Sequence, residues 1–117
     1  MPTIVIVDDE QEILEPLEKM LLEEGFSVRA FINPLRALEY LKLHSVDLVI
    51  FDIKMPELDG LSLLQRVRAY QPQIPAIFLS SKNDDADQLI GFSVGADDYV
   101  GKPFTKQLLI FRIKSVL

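Results

Sequence analysis

The chain contains no cysteine. That removes disulfides, thiol catalysis and cysteine-based zinc sites together, and it leaves the redox compartment open while remaining compatible with the cytoplasm. Histidine occurs once, as His44, so there is no histidine pair for a zinc site and no Ser/His/Asp arrangement for nucleophilic catalysis. His44 lies at the polar end of a predicted helix and reads as a surface residue. Long apolar runs are missing too: the longest are strand-length. The start, MPTIVIVDDE, lacks the basic opening and extended apolar core of a signal peptide. Positive charge is scarce, with 12 Lys and Arg against 18 Asp and Glu and a net charge of -6. This disfavours nucleic acid or an anionic membrane as the chain's own partner, because phosphates require a basic face. Neither GxxxxGK[ST] nor GxGxxG occurs, so a P-loop and a dinucleotide site are unsupported. Internal repeats and low-complexity segments are absent. What remains describes one soluble, cytoplasmic domain spanning 1–117, whose 49% hydrophobic content supplies an ordinary core.

Hydrophobic periodicity divides the chain into alternating strands and helices. Thr3 to Val7 is an all-apolar, β-branched run that ends abruptly in Asp8-Asp9-Glu10. From Glu10 to Glu24, Ile13, Leu14, Leu17, Met20 and Leu21 recur at helical spacing, and Gly25 stops the helix. Ser27 to Phe31 alternates like an edge strand. Asn33-Pro34 opens a second helix with Leu35, Leu38 and Leu41 on one face, ending near His44. Leu48 to Phe51 is a buried strand delivering Asp52 just before Met55-Pro56 and Asp59-Gly60 turn the backbone. A third helix covers about Leu61 to Tyr70, with Leu61, Leu64 and Val67 inward. Ala76 to Leu79 is a fourth strand leading to Ser80-Ser81-Lys82, followed by a polar helix over Asp84 to Val94 that Gly95 stops. Asp98 to Val100 is a brief fifth strand before Lys102-Pro103. A last helix begins after Thr105 and carries Leu108, Leu109, Ile113 and Val116.

Five strand-helix pairs predict an α/β fold: a flavodoxin-like parallel sheet of order 2-1-3-4-5 covered on both faces. Its switch point falls between the first and third strands, in the crevice between Asp8-Asp9 and Asp52. The strand tips then place Asp8, Asp9, Asp52, Ser80 and Lys102 on one edge. Clustered carboxylates repel, and a hard divalent cation with oxygen ligands relieves them. Magnesium suits such a pocket, which stays incomplete until a phosphate oxygen arrives; Mn²⁺ can substitute. Lysine and hydroxyl groups at the same edge fit the remaining phosphoryl oxygens, and an aspartyl carboxylate can accept a phosphoryl group covalently. Each residue alone also has a plain reading. Asp52 serves equally as a turn residue, Asp8 or Asp9 as helix N-terminal charge, Ser80 as a turn residue and Lys102 as a solvated charge. Their coincidence on four strand tips favours the chemical reading.

With these residues in place, the chain resembles the receiver domain of two-component response regulators over essentially its whole length. The resemblance rests on VDDE at Asp8-Asp9, FDIKMPELDG around Asp52, the hydroxyl at Ser80 and GADDYVGKPF from Gly95 to Phe104. It implies that a sensor histidine kinase phosphorylates Asp52, and that Asp9, Asp52 and the backbone carbonyl of Lys54 ligate Mg²⁺ while Asp8 acts through a metal-bound water. It implies that Lys102 contacts the phosphoryl oxygens, that the Lys102-Pro103 bond is cis, and that Ser80 and Tyr99 form the switch pair. The output surface is implied to be the fourth helix, fifth strand and last helix.

The spelling GADDYVGKPF is most similar to the OmpR/PhoB type, whose receivers dimerise through that face and carry a winged-helix DNA-binding domain. By this resemblance a homodimer forms on phosphorylation, and the DNA-binding domain lies outside this chain, which ends at Leu117 within a helix. Asp98 and Arg112 match one cross-interface ion pair of that type. Gln88 and Leu108 replace another, so the dimer face leans on Leu89, Phe92 and Phe111. Lys54 and Lys82, two residues beyond the acceptor and the hydroxyl, offer neither amide nor carboxylate to orient a water, which predicts slow self-dephosphorylation and no multiple-turnover enzyme activity. A stand-alone receiver or phosphorelay protein acting on a protein target is the first alternative. A magnesium-dependent aspartyl-phosphate phosphatase is the second; it needs a carboxylate where Lys54 stands. A pseudo-receiver fits poorly with the complete acidic set.

Overall fold

The computed structural model describes residues 1–81 and 95–117. Five strands, β1 (Thr3–Val7), β2 (Ser27–Phe31), β3 (Leu48–Asp52), β4 (Ala76–Ser81) and β5 (Asp98–Lys102), are joined through helices α1 (Gln11–Glu23), α2 (Pro34–Leu43) and α3 (Gly60–Arg68), with α4 (Lys106–Val116) last. The helix expected over Asp84 to Val94 lies outside the described residues. All neighbouring strands pair in parallel, in the order β2-β1-β3-β4-β5, which is the order the sequence predicts. No helix among the described residues is long and apolar enough to cross a membrane.

The sheet carries two cores because successive strand residues point to opposite faces. Ile4, Ile6, Leu48, Ile50, Ile77, Leu79 and Val100 face one side, where Leu14, Leu17 and Leu21 of α1 and Leu109 and Ile113 of α4 cover them. Val5, Val7, Val49, Phe51, Ala76 and Phe78 face the other, under Ala37, Leu38 and Leu41 of α2 and Leu63, Leu64 and Val67 of α3. Helix α1 keeps its path despite Pro16 in its interior. Proline there gives no N–H to Glu12 and costs about 3 kcal/mol of helix propensity; burial of the three leucines on the opposite side offsets it.

Three expected inward residues are corrected by the helical angle. Leu35 and Leu108 are exposed, and Leu61 is only half-buried, packed at the margin of its core. At about 100° per residue, each lies more than a quarter-turn from the centre of its helix's buried stripe. Leu41, Val67 and Leu109 lie near those centres instead. Strands β4 and β5 also run two residues further than their apolar runs, through Ser80-Ser81 and Gly101-Lys102, because parallel pairing continues between those polar residues.

Helix ends follow local chemistry. Asn33 accepts from the Leu35 N–H at 2.9 Å, Asp59 from Ser62 at 2.7 Å and Thr105 from Leu108 at 3.2 Å, each satisfying a donor that the first turn leaves unpaired. Gly25 ends α1 at φ 92°, a left-handed conformation that glycine reaches without a Cβ penalty. The end of α2 is held from a distance: Gln71 Nε2 donates to the carbonyls of Leu41 and His44, both at 2.8 Å, while its Oε1 accepts from the Val46 N–H at 3.4 Å. Gln71→Ala is therefore expected to cost about 1–2 kcal/mol. Chemical denaturation measures the loss, and faster amide exchange confined to the end of α2 would locate it.

Candidate functional site

Asp52 is the last residue of β3, and strand parity sets where its side chain goes. Ile4, Ile6 and Asp8, then Leu48, Ile50 and Asp52, then Val100 and Lys102 continue one alternation, so the three charged groups share the α1/α4 side of the sheet edge. Ser80 and Tyr99 have the opposite parity. The first follows Phe78 in alternation, and the half-buried Tyr99 ring packs on Phe78 with centroids 5.4 Å apart.

The turn after Asp52 is built as tightly as the strand. The Gly60 N–H donates to the Ile53 carbonyl at 2.8 Å. A Cβ on Gly60 would strike the Asp52 carbonyl oxygen and lie 3.0 Å from its carbon and 3.1 Å from Ile53 Cα. Helix α3 therefore begins one residue earlier than the apolar pattern suggests, at the glycine that lets it touch the strand end.

Lys102 is central to the charged group. Its Nζ lies 3.0 Å from Asp8 Oδ2 and 3.1 Å from Asp52 Oδ1, with Glu10 Oε1 farther out at 4.0 Å. Asp8 is 1% exposed, and its other oxygen accepts the Glu10 N–H at 2.9 Å. Asp52 is 6% exposed. Burial, then the Asp8 charge, push its carboxyl up from 3.8 to about 6, against the opposing pull of Lys102. Burial alone would lower the Lys102 amine, but its bond to Asp8 and the charges of Asp52 and Asp8 outweigh that and hold it above its ordinary value.

Asp8, Asp9, Glu10 and Asp52 each bring an oxygen to a cluster in which all four lie within 4.8 Å of one another. Such a set of hard oxygen donors, carrying more negative charge than one lysine balances, suits a small divalent cation. Glu10 is the member that the sequence reading assigns only to helix initiation. A signal for it exists in the chain: glutamate is a poor N-cap beside Ser, Thr, Asp or Asn, and a third consecutive acid after a strand has no capping task.

The Ser80 hydroxyl is 3% exposed, and its Oγ has no hydrogen-bond partner among the described residues. Lys102-Pro103 is cis, as the resemblance implies. Lys54 is exposed. Asp98 and Arg112 pair with each other inside one chain, at 3.2 Å, and Phe111 is exposed nearby on α4. Lys82, Gln88, Leu89 and Phe92 lie outside the described residues. His44 is exposed and stacks on Tyr40 at 4.1 Å, away from the charged cluster.

A family model described as the response regulator receiver domain matches residues 4–114, and the chain belongs to that family. It is similar to the regulatory protein VanRc of Enterococcus gallinarum, 40% identical over 114 residues that make up 97% of this chain and 49% of that protein. It is also similar to the transcriptional regulatory protein CreB of Escherichia coli (strain K12), 36% identical over 115 residues, 98% of this chain and 50% of the other. The chain thus spans about half the length of these curated relatives. Among solved structures, the receiver domain of the sensor histidine kinase PA1611 from Pseudomonas aeruginosa PAO1 superposes with a TM-score of 0.90 at 25% identity, covering 98% of this chain and 96% of that one; it has a magnesium ion coordinated in its active-site cleft. Chains of this family are receivers in two-component signalling.

Proposed function

We propose that this domain is a phosphorylation-driven switch in which Asp52 accepts a phosphoryl group from a sensor histidine kinase. The observation that carries the reading is the placement of a buried, proton-avid carboxylate at a strand tip, 3.1 Å from a lysine and inside a four-acid cluster. Asp52 Oδ attacks phosphorus, the P–N bond to the donor histidine breaks, and its electron pair leaves with the imidazole nitrogen. Lys102 carries positive charge to the oxygens of the transferred group. Asp9, Asp52 and the Lys54 carbonyl would hold Mg²⁺, with Asp8 acting through a bound water; the four-oxygen donor set and the magnesium in the PA1611 receiver support this assignment. When bound, the cation neutralises charge on the entering phosphoryl oxygens.

The new dianion offers Ser80 the partner that its buried Oγ lacks among the described residues. A hydroxyl drawn to the phosphoryl group leaves space behind it, and Tyr99, on the same face against Phe78, is placed to fill that space. The bias is a population shift, driven by contacts made in one state only. Output runs through the face bearing Asp98, Phe111 and Arg112, where dimerisation trades the internal Asp98–Arg112 pair for cross-subunit contacts. An attached DNA-binding domain then controls transcription, a role supported by the regulatory relatives. The domain works as a switch and not as a multiple-turnover enzyme, and Lys54 beside the acceptor favours a long-lived acyl phosphate.

Incubation with phosphoramidate and Mg²⁺ followed by intact-mass measurement tests the acceptor. One phosphoryl group is expected on the native chain and none on Asp52→Ala. Equal labelling of both would remove Asp52 from the role.

A further inference from the structure

Helix α1 differs from the other described helices in how it begins. Asn33, Asp59 and Thr105 all turn their side chains back to cap their own first turns. Glu10 occupies the same position with extended backbone, φ -98° and ψ 109°, yet its side chain caps nothing. The carboxylate goes to the acidic cluster instead, 4.0 Å from Lys102 Nζ. It is also the outermost member: its side chain is 58% exposed, while Asp8 and Asp52 are buried. The residue divides its labour, since its backbone N–H fixes Asp8 at 2.9 Å and its side chain stands at the mouth.

We infer that Glu10 is a specificity-determining residue for the phosphoryl donor, favouring donors whose leaving atom is nitrogen over those that leave as an anion. This rests on the acceptor reading of Asp52. In-line displacement sends the leaving group away from the attacking oxygen, and from a buried Asp52 that direction is outward, past the mouth where Glu10 stands. With phosphoramidate, in the form carrying an ammonium on a dianionic phosphoryl group, the Asp52–P bond forms, the N–P bond breaks and neutral ammonia departs with the electron pair. Its cationic end meets the Glu10 carboxylate favourably. With acetyl phosphate, the O–P bond breaks and acetate leaves carrying the pair as a full negative charge. Donor and leaving group are then both repelled. A phosphohistidine donor with its ring protonated, which departs as neutral imidazole, belongs to the first class.

Second-order rates of Asp52 labelling with phosphoramidate and with acetyl phosphate, each at saturating Mg²⁺ for the variant used, test the inference. The ratio of the two rates is expected to fall about 3- to 10-fold in Glu10→Gln, the size of effect one unit charge exerts across several ångströms of partly aqueous medium. Glu10→Asp, which keeps the charge, retains most of the native ratio. Glu12→Gln, which removes the acid in the first turn of α1, leaves it unchanged. A general disturbance of the site would slow both donors together and leave the ratio where it was. Raising ionic strength on the native chain is expected to move its ratio toward that of Glu10→Gln, because the mouth is exposed to salt. An unchanged ratio in Glu10→Gln, or a salt-independent native ratio, would overturn the inference. Failure of both donors to label the native chain would instead overturn the acceptor reading beneath it.

Discussion

Asp52→Asn is expected to stabilise the metal-free domain by on the order of 2 kcal/mol at pH 7.5, while removing its capacity to accept phosphate. The folded state raises the Asp52 carboxyl from 3.8 to about 6, so it binds this proton more tightly than the unfolded chain does. That difference, already net of the pull of Lys102, corresponds to roughly 3 kcal/mol, and the imperfect match of an amide to a protonated carboxyl reduces the gain. The sign follows from linkage. Stability from this group is fully present below pH 3.8, declines as pH rises through about 6, and above that remains a constant cost of holding the buried charge. The advantage of asparagine should thus be large at pH 7.5 and nearly gone at pH 4. Lys102 retains Asp8 at 3.0 Å in the variant, and the amide oxygen can face the ammonium. Urea denaturation of both proteins in EDTA across that pH range reads the effect. A native protein equally stable at pH 7.5 and at pH 5 relative to the variant would contradict it. Adding Mg²⁺ should close part of the gap by stabilising the native chain more than the variant.

Gly60→Ala carries the other large expectation, a loss of about 3 kcal/mol or more. The new methyl would collide with the Asp52 carbonyl oxygen and press on two further backbone atoms. None of these can swing aside as a long side chain would, so either α3 shifts or the turn from Asp52 to Ile53 moves. The same contact sits beneath Asp52, the proposed acceptor. The variant should therefore lose thermal stability by roughly ten degrees or more for a domain of this size, and the folded fraction should label more slowly with phosphoramidate. Gly60→Ser is expected to do the same. A variant as stable as the native chain would mean that α3 has freedom at its N-terminus that the close packing denies.

Much of this architecture is legible in the linear chain because parallel strands buried on both faces leave a strong mark. The apolar runs TIVIV, LVIF and AIFL each lead straight into the polar residue that the sheet edge presents. The charged trio follows from those endings and from Lys102 after the fifth strand, and the cis bond at Pro103 follows from the family resemblance. What the sequence conceals depends on distance or angle. Glu10 reads as a helix starter: its being a poor N-cap hints at another task, but only the folded chain shows its side chain 4.0 Å from Lys102 Nζ. Leu35 and Leu108 satisfy a helical count without lying at the stripe's centre. Gly60 reads as turn punctuation, because the approach of α3 to Asp52 exists only in three dimensions. Asp98 and Arg112 match a cross-interface pair by resemblance, and nothing in their separation of 14 residues says that they also pair within one chain.

The alternation that puts Asp8, Asp52 and Lys102 on one side of the sheet and Ser80 and Tyr99 on the other also limits how this domain can change length. Inserting or deleting one residue within β1, β3 or β5 would rotate the terminal charged side chain to the wrong face while leaving the strand as apolar as before. In β4 the same slip would carry Ser80 to the other face and turn Ile77 and Leu79 against the opposite helices. Lineages of this domain can therefore lengthen in the turns at the N-terminal edge of the sheet, such as 69–75, but strand length up to each functional residue is fixed in steps of two.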